Sequence, residues 1–157
     1  MSVPCFLCDE MLTGLARWLR AAGYDTAAAW HGQRDGALVE RATRESRLLL
    51  TRDRGIGERR AAAGIVLLLD GHGLESWAEE LSRRAGVDWM LAPFTRCLVC
   101  NTPLDAAPSE AAGLVPEGSR HLGPLRWCSC CLKPYWRGGH VERMAARLTR
   151  WRGDAAR

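Results

Sequence analysis

Apolar positions recur with two different periods along the first ninety residues, and the changes of period mark the elements. Residues 3–8, VPCFLC, are a short apolar run that predicts a buried strand. Over residues 10–22, Met11, Leu12, Leu15, Trp18, Leu19 and Ala22 fall three and four apart, which predicts a helix with one apolar stripe. Gly23 then sits where a left-handed C-cap belongs. Residues 24–30 predict a weaker, Ala-rich strand. Asp35 precedes a second helix over 36–45 with Leu38, Val39 and Ala42 inward. RLLLT (47–51) and IVLLL (65–69) predict two further strands, and residues 74–86 a helix with Leu74, Trp77 and Leu81 on one face. Such alternation implies an α/β domain, a parallel sheet flanked by helices.

From Pro93 onward the periodicity fades, so the expected domains are 1–92 and 93–157. Residues 101–119 read as loop. Residues 140–153 predict a short basic helix with Met144, Leu148 and Trp151 on one stripe, and the terminal DAAR is expected to fray.

The acids fall at informative places. Asp9 follows the first strand, Asp35 starts a helix, Asp53 comes two residues after LLLT, and Asp70 follows IVLLL. In an open parallel sheet, strand ends and helix starts share the edge where ligands bind. Taken singly, Asp35 is also a good N-cap and Asp70 an ordinary turn residue. Converging carboxylates repel and need a cation; an all-oxygen site suits Mg²⁺ or Mn²⁺, which can activate water for phosphodiester hydrolysis.

The cysteines carry a second chemistry. Cys97-x-x-Cys100 and Cys128-x-x-Cys131 form two knuckles separated by 27 residues, the makings of a Cys₄ zinc site and hence a zinc ribbon. Cys130 lies between the second pair but lacks the knuckle spacing, and His140 is not needed as a ligand. Cys5 and Cys8 lie three apart in the predicted first strand, so their thiols diverge and act as small apolar side chains. The stretch CFLCDEML is therefore expected to work through oxygen and not sulfur.

Composition changes this picture modestly. The chain has 157 residues, enough for one medium domain with an appendage. No basic region followed by an apolar stretch marks the N-terminus, and no apolar run approaches the ~18 residues that span a membrane. The expectation is a cytoplasmic protein with metal-bound or buried thiols. Residues 1–94 carry 12 Arg against 13 acids; residues 95–157 carry 9 Arg and 1 Lys against 5 acids. The basic last third suggests a polyanion partner.

FLCDEMLTGLARWLRAAGYD, then D..LVERATRESRLLLTRDRG, then CLVCN and CSCCLKPYWRGGH resemble the mut-seven C-terminal RNase family. That family joins a small PIN-like domain to a C-terminal zinc ribbon. The resemblance implies a ribonuclease using Mg²⁺ or Mn²⁺ at Asp9, Asp35 and Asp53, with Glu10 a weaker candidate, and a ribbon that aids RNA binding. Glu45 falls in a matching stretch but reads as a helix-surface residue. Arg17, Arg20, Arg52 and Arg54 lie near these acids, where arginine forks suit phosphate oxygens, or else pair with acids nearby. Tyr135, Trp136 and His140 can stack on bases or contact phosphate; equally, Trp136 can cover the ribbon's core.

Other readings fare worse. A receiver-type phospho-acceptor domain needs a lysine after a late strand, and the sole lysine is Lys133, inside the ribbon. An Asp-x-Asp phosphatase fails because Met11 occupies its second acidic position. The serious alternative is a non-catalytic RNA- or ribosome-binding ribbon module on a degenerate nuclease fold.

Overall fold

The computed structural model describes residues 2–155, so Ala156 and Arg157 of the expected frayed end lie outside the described residues. Four short strands, β1 (Phe6–Cys8), β2 (Thr26–Ala28), β3 (Leu48–Thr51) and β4 (Val66–Leu68), form a parallel sheet in the order β2-β1-β3-β4. The four strands are those expected, each shorter than the segment assigned to it. The register sets Phe6 opposite Thr26 and Leu48, and Leu49 opposite Val66.

Helices cover both faces. Successive strand residues point to opposite sides, so Phe6, Cys8 and Leu50 face one core and Leu7 and Leu49 the other. The first core is closed by α1 (Thr13–Ala22) and α4 (Leu74–Ala85), the second by α2 (Asp35–Arg44) and the short α3 (Arg54–Gly57). α1 ends at Gly23, with φ 103°, as its C-cap. A Cβ there would also collide with the Ala92 carbonyl, so this approach requires glycine. The chain enters α1 through a 3₁₀ turn, Glu10–Leu12. That tighter turn swings Met11 off the apolar stripe assigned to it and leaves it 72% exposed.

The C-terminal segment has a small antiparallel sheet, β5 (Asp105–Ala106), β6 (Arg126–Cys128) and β7 (Lys133–Tyr135), with 3₁₀ turns in the stretch expected to be loop. It ends in α5 (Gly139–Ala155), whose Met144, Leu148 and Trp151 stripe forms as expected. That stripe does not belong to the ribbon. It enters the first core, where Trp151 meets Trp18 and Trp89 edge-to-face at centroid distances of 5.0 and 4.8 Å. The boundary drawn at 92/93 groups α5 with the ribbon, whereas its packing lies with α1 and α4. Among the described residues, no helix is long and apolar enough to cross a membrane.

Candidate functional site

With all four strands parallel, their carboxyl ends share one edge. From the adjacent pair β1 and β3 the chain leaves in opposite directions, to β2 on one side and β4 on the other. That reversal is the switch point at which such sheets bind ligands. Asp9 follows β1 and Asp53 lies just beyond β3, so both acids flank it.

Thr51, fully buried at the end of β3, ties them together. Its hydroxyl donates to Asp9 Oδ2 at 2.8 Å and accepts from the Asp53 N–H at 3.0 Å. Asp9 Oδ1 accepts from the Glu10 N–H at 2.6 Å, capping the 3₁₀ turn. Asp53 caps α3, its Oδ1 accepting from Gly55 N–H at 2.7 Å. Sequence reasoning passed over Thr51; the available signal was a hydroxyl ending an otherwise apolar strand.

The other acids are placed less centrally. Asp35 is the first residue of α2 and not its cap, which is Arg34, and it faces Arg59 at 3.4 Å. Glu10 turns toward the loop after β2, where His31 Nδ1 and the Gly32 N–H hold its carboxyl below its usual pKa. Glu45 ends α2, bonded to Arg41 and Arg47 at 2.9 Å each, a structural position. Asp70 is exposed beside a shallow cavity of about 510 Å³ shared with Ser76, Glu79 and Arg84. The backbone there is held by Glu80, which accepts from the Asp70 and Gly71 N–H groups. Among the described residues, Asp9, Asp35 and Asp53 do not form a cluster with all ligand oxygens within 4.8 Å of one another. The fit to a hard divalent ion therefore rests on the oxygen donor set of Asp9 and Asp53, since Mg²⁺ is often held by one or two carboxylates plus water.

The arginines divide. Arg20, expected to meet phosphate, is 8% exposed and committed internally: Nε donates to Thr26 O at 2.8 Å, and Nη1 to Leu98 O and Val99 O at 3.1 and 2.8 Å. Its position on the inner face of α1 makes it an anchor for the first knuckle, which removes it from the RNA-contact set. Arg17 is exposed and pairs with His140 Nε2 at 2.9 Å. Arg52 is half-buried over the Trp77 ring at 5.8 Å, and Arg54 is exposed at the start of α3.

The cysteine ligands converge as the spacing requires. Cys97, Cys100, Cys128 and Cys131 place their sulfurs all within 4.8 Å of one another. Cys97–Cys131 is 3.8 Å and Cys100–Cys128 3.4 Å. A tetrahedron with zinc–sulfur bonds of about 2.3 Å has sulfurs about 3.8 Å apart, so these cysteines can hold a metal such as zinc. Backbone N–H groups of Cys100 and Cys131 point at Cys97 and Cys128 sulfurs, at 3.5 and 3.3 Å. Burial pushes the Cys100 thiol up, but Thr102 and the neighbouring sulfurs outweigh it and bring it to about 6. Cys130 is exposed and stands outside the group. So do Cys5 and Cys8; burial pushes the Cys8 thiol up to about 12, as befits a core side chain.

Tyr135 supports this site rather than facing solvent, its hydroxyl 3.0 Å from Cys97 Sγ and accepting from Leu98 N–H at 3.2 Å. Trp136 is half-buried over Gly138, where a Cβ would stand 2.9 Å from its Nε1. A second anchor escaped sequence reasoning. Asn101 accepts from Thr26 N–H and donates to Asp25, which also pairs with Arg47 at 2.7 Å. These residues are far apart in sequence, and no spacing rule links them.

The family described as the Mut7-C RNAse domain matches residues 4–148. No curated protein and no solved structure matches the chain significantly. With a parallel sheet covered by helices on both faces, a convergent four-cysteine group and a match over nearly its whole length, the chain belongs to the Mut7-C RNase domain family.

Proposed function

We propose that this protein is a metal-dependent ribonuclease that hydrolyses RNA phosphodiester bonds at the Asp9–Asp53 edge. The observation that carries this reading is Thr51, which fixes both carboxylate-bearing turns across the sheet's switch point. Asp9 and Asp53 would hold a Mg²⁺ or Mn²⁺, and Asp35, paired with Arg59 at the start of α2, is the third family position. Such an ion, when bound, polarises the phosphodiester and lowers the pKa of water. Thr51 holds Asp9 in one rotamer, and the α3 cap holds Asp53. Arg17 and Arg54, both exposed, supply guanidinium forks for phosphate oxygens. The four cysteines hold structural zinc, and the ribbon with Trp136 and His140 extends the RNA surface. Seven free cysteines, four of them gathered for a metal, favour a reducing cytoplasmic setting.

The second reading, an RNA-binding module without catalysis, is favoured by the spread of the three carboxylates. One experiment separates them: cleavage of a mixed RNA panel with and without Mn²⁺, alongside EDTA and zinc analysis. Cleavage that needs Mn²⁺ and disappears in folded Asp9→Asn and Asp53→Asn proteins supports the nuclease. RNA binding with no cleavage under any of these metals supports the module.

A further inference from the structure

We propose that Trp30, backed by Arg41, is a stacking platform for one unpaired RNA base beside the acidic edge; this rests on the ribonuclease reading above. Trp30 is 61% exposed, and the Arg41 guanidinium lies over its ring at 4.5 Å from the centroid. Arg41 is itself held, with Nε donating to Glu45 at 2.9 Å and Nη1 to the Ala28 carbonyl at 3.1 Å. One face of the indole is thus fixed against a cation that cannot swing away.

The location is set by the sheet. Ala29 N–H donates to Cys8 O at 2.8 Å, so Trp30 leaves β2 alongside the residue that precedes Asp9. Glu10, next to Asp9, bonds His31 and the Gly32 N–H, tying the Trp30 loop to the turn that carries Asp9. An indole held this way beside the turn that carries Asp9 suits a base, because every base has a flat face and stacking tolerates any sequence. A duplex offers no free base face, so the platform selects single strands.

The test uses full-length, zinc-loaded protein and a fluorescent single-stranded RNA of about 12 nucleotides, read by anisotropy without Mg²⁺ or Mn²⁺. Trp30→Ala should weaken single-strand binding about 10-fold, within the range of one lost base–aromatic stack. Trp30→Phe should stay within about 2-fold of wild type, and the affinity for a blunt duplex should not change. The melting temperature of Trp30→Ala should match wild type, since the ring is mostly outside the core. Wild-type affinity in Trp30→Ala, or equal losses on single strand and duplex, overturns the platform. A wild type that binds RNA and never cleaves, with the Trp30→Ala loss present, upholds the platform and overturns the nuclease. A wild type that cleaves while Trp30→Ala binds and cleaves normally does the reverse.

Discussion

Thr51 is the single side chain on which the candidate site most depends. It has no exposure, and its one hydroxyl serves two acids. Thr51→Val keeps the shape but leaves the Asp53 N–H unpaired and frees Asp9 to rotate. Losing the bond to the Asp9 carboxylate, together with the part-buried one from the Asp53 N–H, costs about 1–3 kcal/mol, so the melting temperature should fall and Mn²⁺-dependent cleavage should fall with it. Thr51→Ser should restore both; a valine variant with full activity would remove Thr51 from the mechanism. Asp9→Asn and Asp53→Asn act differently. They remove charge at nearly constant shape, so cleavage should vanish while the melting curve stays close to wild type.

At the scale of elements, the question is what fastens the ribbon to the sheet. Asn101, at φ 73°, takes a backbone conformation that asparagine tolerates better than most residues. It also satisfies Thr26 N–H at the start of β2. Asn101→Ala should cost about 2–4 kcal/mol from the unpaired N–H plus left-handed strain. Asn101→Gly should cost less, because only the strain is relieved; calorimetry of the two variants separates the contributions. Asp25, in the same network, is pushed up by burial, but bonds from Arg47 and Asn101 and the Arg47 charge hold its pKa below 3.8. A depressed carboxyl contributes stability above its unfolded value and loses it as pH falls through the folded one. The stability gap between wild type and Asp25→Asn should therefore be level at neutral pH and close below about pH 3.8. A gap that persists in acid would show that charge is not what Asp25 contributes. The knuckles form their own unit: Cys97→Ser or Cys128→Ser should lose zinc and unfold the ribbon. Cys130→Ser, and the double change Cys5→Ala with Cys8→Val, should keep one zinc per chain by metal analysis.

Across the whole molecule, α5 is part of the main core, and this changes what a test of its charge can be. Removing the chain after residue 141 would strip Met144, Leu148 and Trp151 from beneath Trp18 and Trp89. Losing one such large side chain costs about 2–5 kcal/mol, against a total domain stability of about 5–15. The truncated protein should be unfolded by circular dichroism. The salt dependence of RNA binding has to be probed by neutralising single arginines. Arg147 and Arg150 share the one carboxylate of Glu75, whereas Arg152 has Asp88 to itself, so of the three only Arg152 has its charge matched by its own acid. Neutralising Arg152 should leave the slope of affinity against salt nearly unchanged. Arg17→Ala and Arg54→Ala should each flatten it by about 0.7, the value for one phosphate of a single strand. Equal slopes in all these variants would place the RNA surface elsewhere.

The sequence by itself determined the four strands, the helices α1, α2, α4 and α5, and the four zinc-type ligands, but not the short α3. Each of these is written in local spacing: apolar runs of strand length, stripes at three and four, and Cys-x-x-Cys pairs whose register at Cys128 and Cys131 the converged sulfurs match. That Asp9 and Asp53 stand at strand ends was legible for the same reason, since Asp9 follows β1 and Asp53 comes two residues after the end of β3. Only the tertiary structure decided how far apart the carboxylates stand, that Arg20 is spent on the knuckle, and that α5 belongs to the first core. It alone joined Thr51 to both acids and Asn101 to Asp25. A residue type and its spacing define what a side chain can bond, but which partner it meets depends on segments dozens of residues away. That choice is made by how the layers close over the sheet.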